Sequence, residues 1–324
     1  MYVLPYGQMS LWGIQCYNNI IIYLYKVNLM KLHSGRLLMN LIQRKFIKNY
    51  YSVSSNIKPD KKFMSLFIGF MDGDGYFDIG EQKQYNKITK TLVKSTLRIR
   101  LATNVHIRDL STLRLFREAL GVGNISYLIN KKQVKLTFYK RDLINVILPL
   151  IKTYNLKFLN KERIKQFSLL TYILDNNIKY WDEIDSNLIL KTDLLLDNDI
   201  INLDFFNNWL IGFTMAEGSF GIKTNGSAFF QIKQKGKENY EIIKAICLTI
   251  AKREAKPIKA DSADCYQLTL SSKADIQKVI DFFSFSVNHS LFGYKLKQYN
   301  LWLASLKIHN RYKNLNYPNN NNLN

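Results

Sequence analysis

Phe67-Ile-Gly-Phe-Met-Asp-Gly-Asp-Gly75 returns in altered form as Leu210-Ile-Gly-Phe-Thr-Met-Ala-Glu-Gly218. Each copy is an apolar run that closes on a carboxylate and a glycine, Asp74-Gly75 and Glu217-Gly218. Each carries small residues four apart, Gly69 with Gly73 and Gly212 with Ala216. That spacing lets two helix backbones approach closely. Phe63, Leu66, Phe67, Phe70 and Met71 recur at helical spacing, and Pro59-Asp60 suits a helix start. Gly75 suits the left-handed position that ends a helix. A β-like run follows each copy, Tyr76 to Ile79 and Ser219 to Ile222. Two such helices packed on each other bring Asp74 and Glu217 to the same end of the pair.

The duplication extends outward. Leu97, Ile99 and Leu101 alternate with Arg98 and Arg100, and Val134, Leu136 and Phe138 alternate with Gln133, Lys135, Thr137 and Tyr139. Period-two alternation predicts sheets with one apolar and one basic face. Phe229 to Lys235 and Tyr266 to Ser271 are the strands expected in the second half. Helices are expected at Leu110 to Leu120, Asp142 to Ile151 (stopped around Pro149), Ile164 to Leu174, Trp209 to Ala216, Tyr240 to Ala251 and Asp275 to Phe283. Leu136-Thr-Phe138 matches Leu268-Thr-Leu270, and Asp142-Leu143 with Ile147 matches Asp275-Ile276 with Ile280. Lys161, before a Tyr/Phe-rich helix, matches Lys295 before Tyr299 and Trp302. One duplicated unit accounts for these matches. The expected division is an N-terminal extension over 1–60, a first repeat over 61–180, an acidic linker over 181–204, a second repeat over 205–312 and a polar tail over 313–324. The linker holds Asp182, Glu183, Asp185, Asp193, Asp197, Asp199 and Asp204 against Lys191, so it is expected on the side away from a polyanion.

The 324 residues carry 46 Lys and Arg against 25 Asp and Glu, a formal charge of +21. That excess on an aromatic-rich chain favours nucleic acid as the partner. Cys16, Cys247 and Cys265 are odd in number and lack metal-ligand spacing, which excludes a disulfide scaffold or a zinc finger. The apolar run Ile20 to Tyr25 is too short to span a bilayer, so no membrane partner is expected. Two carboxylates held close together repel and raise a pKa. A divalent cation relieves that repulsion, and hard oxygen ligands select Mg²⁺. Such an ion can activate water and stabilise the leaving oxygen in phosphodiester hydrolysis.

The two nonapeptides resemble the paired motifs of the double-motif LAGLIDADG homing endonucleases and the related group I intron maturases. The resemblance spans about Lys61 to Lys307. It implies an α+β fold of two pseudo-symmetric αββαββα repeats, with the motif helices at their interface and antiparallel sheets forming a saddle on double-stranded DNA. It implies that Asp74 and Glu217 bind Mg²⁺, that Lys161 and Lys295 stand near the cleaved phosphates, and that Gln234 lies near the metals. Asp72 and Met215 hold the motif's earlier acidic position, where methionine departs from the usual pattern. On the sheet faces, Arg98, Arg100, Lys135, Tyr139, Gln231, Lys233 and Lys235 are the candidate DNA contacts, reaching phosphates and base edges. Because the two halves differ, a monomer is expected to read a nearly non-palindromic site.

Leu4-Pro-Tyr-Gly-Gln-Met-Ser-Leu-Trp-Gly13 resembles a piece of mitochondrial cytochrome b, and the likeness stops at Ile14. That junction implies a protein encoded in a mitochondrial cytochrome b intron, acting in the mitochondrial matrix, and leaves two functions open. One is a Mg²⁺-dependent homing endonuclease that also assists splicing. The other is an RNA maturase that stabilises its own group I intron RNA with little or no DNA cleavage. A non-catalytic DNA-binding regulator of the same family ranks last, because no helix-turn-helix pattern accompanies the repeats.

Overall fold

Asp60 opens the central helix. Its carboxylate accepts from the Phe63 amide at 2.7 Å, satisfying a donor that the first helical turn leaves unpaired. Helix α1 (Lys61–Asp74) is buried continuously from Phe63 to Asp72. The structure is a computed structural model, and it describes residues 59–185, 195–254, 264–286 and 290–318. Most of the expected N-terminal extension, the middle of the acidic linker and the end of the tail lie outside these residues.

From α1 the chain passes directly into a hairpin, β1 (Gly75–Tyr85) and β2 (Leu92–His106), then through a 3₁₀ turn (Ile107–Asp109) into α2 (Leu110–Leu120). Strands β3 (Asn124–Leu128) and β4 (Gln133–Tyr139) complete a four-stranded antiparallel sheet in the order β1-β2-β4-β3. A helical run over 140–153, here α3, follows, and α4 (Lys161–Asp175) closes the first repeat. After the short α5 (Asp197–Ile201) the order recurs: α6 (Phe206–Glu217), β5 (Ser219–Ile222), β6 (Ala228–Lys235), a 3₁₀ turn (Lys237–Asn239), α7 (Tyr240–Ala251), β7 (Cys265–Leu270), α8 (Lys273–Ser284) and α9 (Gly293–Ile308). Among the described residues the second sheet has three antiparallel strands, β5-β6-β7.

Helices α1 and α6 pack against each other at the centre, and glycine makes their approach possible. A Cβ on Gly69 would lie 1.9 Å from the Trp209 carbonyl oxygen, and one on Gly212 would lie 1.8 Å from that of Leu66. The two clashes are mirror images in the repeat: each glycine faces the backbone one turn before the other glycine. Both helices are apolar nearly all round because each is covered by its partner and by its own sheet. On α1, Phe63, Phe67 and Phe70 pack on Phe116 of α2, with ring centroids 5.9, 5.3 and 5.1 Å apart. In the second repeat, Phe220, Phe230, Phe283, Tyr299 and Trp302 form the corresponding core.

Several local expectations change. Gly75 does not end α1 in the left-handed region: its φ of −86° and ψ of 164° are extended, and it is already the first residue of β1. Space rather than backbone freedom selects glycine there, since a Cβ would meet the Met71 carbonyl oxygen at 2.5 Å. Pro149 does not stop its helix, which runs on to Thr153. A π-helical turn over Leu143–Ile147 comes just before it. The proline therefore falls in the first turn of the next α-helical segment, where its missing N–H costs nothing. The hairpin β1–β2 is also far longer than the short runs visible in the sequence.

Candidate active site

The site grows from the ends of α1 and α6. Asp74 and Glu217 are the last residues of these two helices. A Cβ on Gly73 would lie 2.4 Å from the Ala216 Cβ and 3.1 Å from the Glu217 Cγ, so the two C-termini touch. Both carboxylates therefore sit where the helices' unpaired carbonyls already concentrate negative charge. Burial raises the Asp74 pKa to about 7, and the neighbouring Glu217 and Asp109 push it the same way against Lys295. Burial also raises Glu217, opposed by a hydrogen bond from Gln234 and by the Lys295 charge.

Lys295, in the first turn of α9, donates from Nζ to the Gly218 carbonyl. Burial lowers its pKa, while Asp109, Asp74 and Glu217 oppose that shift. Its counterpart Lys161 is placed differently. The Lys161 ammonium is paired with Glu238, and its backbone amide donates to Asn239 Oδ1 at 3.0 Å. It is not among the groups acting on Asp74 or Glu217. Each lysine is met by the 3₁₀ turn of the opposite repeat: Glu238 and Asn239 of the second repeat meet Lys161, and Arg108 and Asp109 of the first meet the start of α9. The Arg108 guanidinium stacks 4.3 Å over the Tyr294 ring. The second turn presents Glu238 to Lys161, whereas the first presents Arg108 and Asp109 near Lys295.

Gln234 lies on the inward face of β6, buried, within hydrogen-bond reach of Glu217. Its Oε1 accepts from Asn160 Nδ2 at 3.0 Å. Asn160 caps α4 through Oδ1, accepting from Glu162 N at 3.0 Å, and its own amide donates to Asp72 Oδ1 at 3.2 Å. A chain of polar groups thus runs Asp72, Asn160, Gln234, Glu217, from one repeat into the other. Asn160 was readable only as a helix entry, and Asp109 carried no signal beyond its place before α2.

Asp72 is a buried cross-repeat clasp. Its Oδ2 accepts from Leu159 N at 2.8 Å and from Trp209 Nε1 at 2.7 Å, in addition to the Asn160 bond on Oδ1. Burial lifts its pKa to about 7 in spite of these donors. Met215, the same position in the second copy, is buried, and the partner position of Trp209 there is Leu66, which has nothing to donate. Asp72→Ala strands three buried donors, each worth about 1–3 kcal/mol, so urea unfolding should show a loss of at least about 3 kcal/mol. Asp72→Asn should cost less. A raised carboxyl pKa stabilises the fold below the unfolded value and loses that contribution as pH rises through about 7. The deficit of Asp72→Asn should therefore shrink between pH 4 and pH 8.

The outer sheet faces carry the remaining candidates. Asp78 of β1 joins Arg98 Nε at 2.9 Å and Arg100 Nη2 at 2.6 Å. Partial burial alone would raise the Asp78 carboxyl, but the two arginines outweigh it and hold it below the usual range. Lys135 lies 5.5 Å over the Tyr76 ring, and Tyr139 is 47% exposed. In the second sheet Lys233 and Lys235 are exposed and Gln231 half-buried, all on the face opposite Gln234.

Among the described residues no group of three or more His, Cys, Asp or Glu side chains is arranged to hold a metal unaided. The two paired carboxylates nonetheless fit a hard divalent cation whose other ligands are water and phosphate oxygens. The crowding of Asp74 against Glu217 is the observation that supports the fit.

The chain is similar to the "Probable intron-encoded endonuclease aI3" of Dictyostelium discoideum, 23% identical over 248 residues, covering 76% of this chain and 92% of that protein. It shares its fold with the I-LtrWI LAGLIDADG homing endonuclease bound to target DNA, with a TM-score of 0.59 and 18% identity over 77% of this chain and 91% of that one. It also shares it with the I-SmaMI LAGLIDADG homing endonuclease bound to cleaved DNA, with a TM-score of 0.57 and 19% identity over 76% and 90%. The LAGLIDADG endonuclease family profile matches residues 67–173 and 210–306, more than half of the sequence, so the chain belongs to the LAGLIDADG endonuclease family.

Proposed function

We propose that this protein is a site-specific homing endonuclease that cuts both strands of a DNA duplex by Mg²⁺-dependent phosphodiester hydrolysis. The observation that carries this reading is the meeting of Asp74 and Glu217, one from each repeat, at the end of the helix pair beside Lys295. The sheet faces orient the duplex through Arg98, Arg100, Lys135, Tyr139, Gln231, Lys233 and Lys235, so that a phosphate comes to rest at the helix ends. There Asp74 and Glu217 would hold the cation, which when bound would supply a Lewis acid for the phosphoryl oxygen and a more acidic water. Gln234, fixed by Asn160, orients the Glu217 carboxylate. Lys295 offsets charge that develops on the phosphate. Lys161 takes the same part only after leaving Glu238. The crystal structures of relatives on target and cleaved DNA support the choice of duplex DNA.

The site is unsymmetrical because the repeats differ, and a monomer suffices because both acids come from one chain. No helix among the described residues is long and apolar enough to cross a membrane. The likeness of residues 4–13 to cytochrome b favours a mitochondrial setting and a second role in splicing the group I intron that encodes the chain. Purified protein with Mg²⁺ should linearise a plasmid carrying the intronless exon junction and leave it intact in EDTA. An uncut plasmid together with faster splicing of the intron RNA would replace this reading with the maturase one.

A further inference from the structure

The two DNA-facing hairpins are anchored alike but differ in reach. Each begins at the glycine after a motif acid or one residue beyond it, and each ends just before the 3₁₀ turn that leads into the next helix. Any difference in length must therefore appear at the tip. Strands β1 and β2 have 11 and 15 residues, against 4 and 8 in β5 and β6, seven more in each strand. At about 3.3 Å per residue the first hairpin extends roughly 23 Å farther.

The surroundings of the tips also differ. The β5–β6 turn is backed by the C-terminal segment: a Cβ on Gly226 would lie 2.9 Å from His309 Nε2, and Arg311 Nη1 reaches Ser227 Oγ at 3.4 Å. Every residue from Gln82 to Lys94 is exposed. Yet the strands remain paired up to Tyr85 and Leu92, and the turn is fixed by Asn86, whose Oδ1 accepts from Ile88 N at 2.8 Å and Thr89 N at 3.1 Å. Ile88 is 91% exposed and Val93 62%. A long, ordered, uncovered hairpin is a liability in a free chain and a surface for a partner. The charge names that partner. Lys87, Lys90 and Lys94 lie in the exposed stretch Gln82 to Lys94, which holds no acid, and Lys83 beside them pairs with Glu81 at 3.1 Å. Gln82, Gln84 and Lys94 continue the face that carries Arg98 and Arg100.

We propose that the β1–β2 hairpin grips duplex DNA beyond the span reached by β5–β6, which makes the recognised site lopsided. The inference rests on the DNA-cutting reading above and adds to it. At about 3.4 Å of duplex per base pair, the extra reach corresponds to at most about seven base pairs on the first repeat's side of the cut. Lysines supply phosphate contacts, and glutamine and threonine supply polar groups for the groove.

The test is selection of bound duplexes from a random library, with the cut position as the reference point. The wild-type protein should specify about five to seven more positions on one side of the cut than on the other. A variant in which residues 80–98 are replaced by a two-residue Asn-Gly turn joins the paired Ile79 and Ile99 and leaves strands about as long as β5 and β6; it should lose that excess and keep the positions specified on the other side of the cut. A second variant keeps the hairpin: Lys83→Gln, Lys87→Gln, Lys90→Gln and Lys94→Gln together. It should lower the slope of log affinity against log salt by about 2–3, at roughly 0.9 per lost phosphate contact. Equal numbers of specified positions on the two sides, or an unchanged salt slope, would overturn the inference and leave the DNA reading standing. Failure to enrich any duplex would overturn both.

Discussion

Gly69→Ala and Gly212→Ala are each expected to separate the two repeats. The added methyl would sit 1.9 Å from the Trp209 carbonyl oxygen in one case and 1.8 Å from the Leu66 carbonyl oxygen in the other. These are backbone atoms in the middle of helices, so no side chain can rotate out of the way. The helices must move apart along the seam that holds the core and both acids. Overpacking usually costs about 1–3 kcal/mol where side chains can adjust. Here the obstacle is rigid, and roughly 4 kcal/mol or more is expected, against a total stability on the order of 5–15 kcal/mol. Gly80→Ala is the control, because its Cβ would meet only the flexible end of Arg98, at 3.1 Å. Its urea midpoint should stay near wild type. Equal midpoints for Gly69→Ala and Gly80→Ala would mean that the close helix crossing is wrong.

Asp74→Asn or Glu217→Gln should lower DNA cleavage by about 10³-fold or more, the scale of losing a group that stabilises transition-state charge. Duplex binding should persist, since the sheet faces are untouched. The pH dependence follows from the sign of the shift. Asp74 must be ionised to hold a cation, and its pKa is raised to about 7. At limiting Mg²⁺, cleavage should climb with pH through that region, and its midpoint should move down as Mg²⁺ is added, because the ion favours the carboxylate. Stability of the metal-free protein runs the other way. The raised carboxyl favours the fold below its unfolded pKa, and that contribution is lost as pH rises through about 7. Asp74→Asn should flatten this loss in thermal melts.

The duplication makes the centre of the molecule legible in the sequence. Repeated apolar runs with small residues four apart foretold the α1–α6 pair, and the acids at their ends could only meet there. Strict alternation in Leu97 to Leu101 and Gln133 to Tyr139 exposed the sheet, because one face is buried and the other wet. Where both faces are wet the signal vanishes: Gln82 to Lys94 has no buried side, so its strands left no period. In the sequence Asp72 and Met215 show only a drifted motif position. The reason for the difference is the Trp209 indole opposite one and Leu66 opposite the other, a tertiary pairing that no local window contains. The contrast between Lys161 and Lys295 depends likewise on which 3₁₀ turn crosses from the other repeat. Sequence spacing treats these lysines as equals, while Glu238 sets Lys161 apart.

The central claim is that each repeat gives one acid to a single cutting centre. Strand-resolved cleavage rates for Asp74→Asn, Glu217→Gln and the double variant test it most directly, with Mg²⁺ and a target duplex labelled on both strands. Each single substitution should suppress cutting of both strands, and the double variant should be little worse than either one, the non-additivity of groups that act as a unit. If Asp74→Asn silenced one strand while the other was cut at the wild-type rate, and Glu217→Gln did the reverse, the acids would serve two separate centres and the account would be wrong.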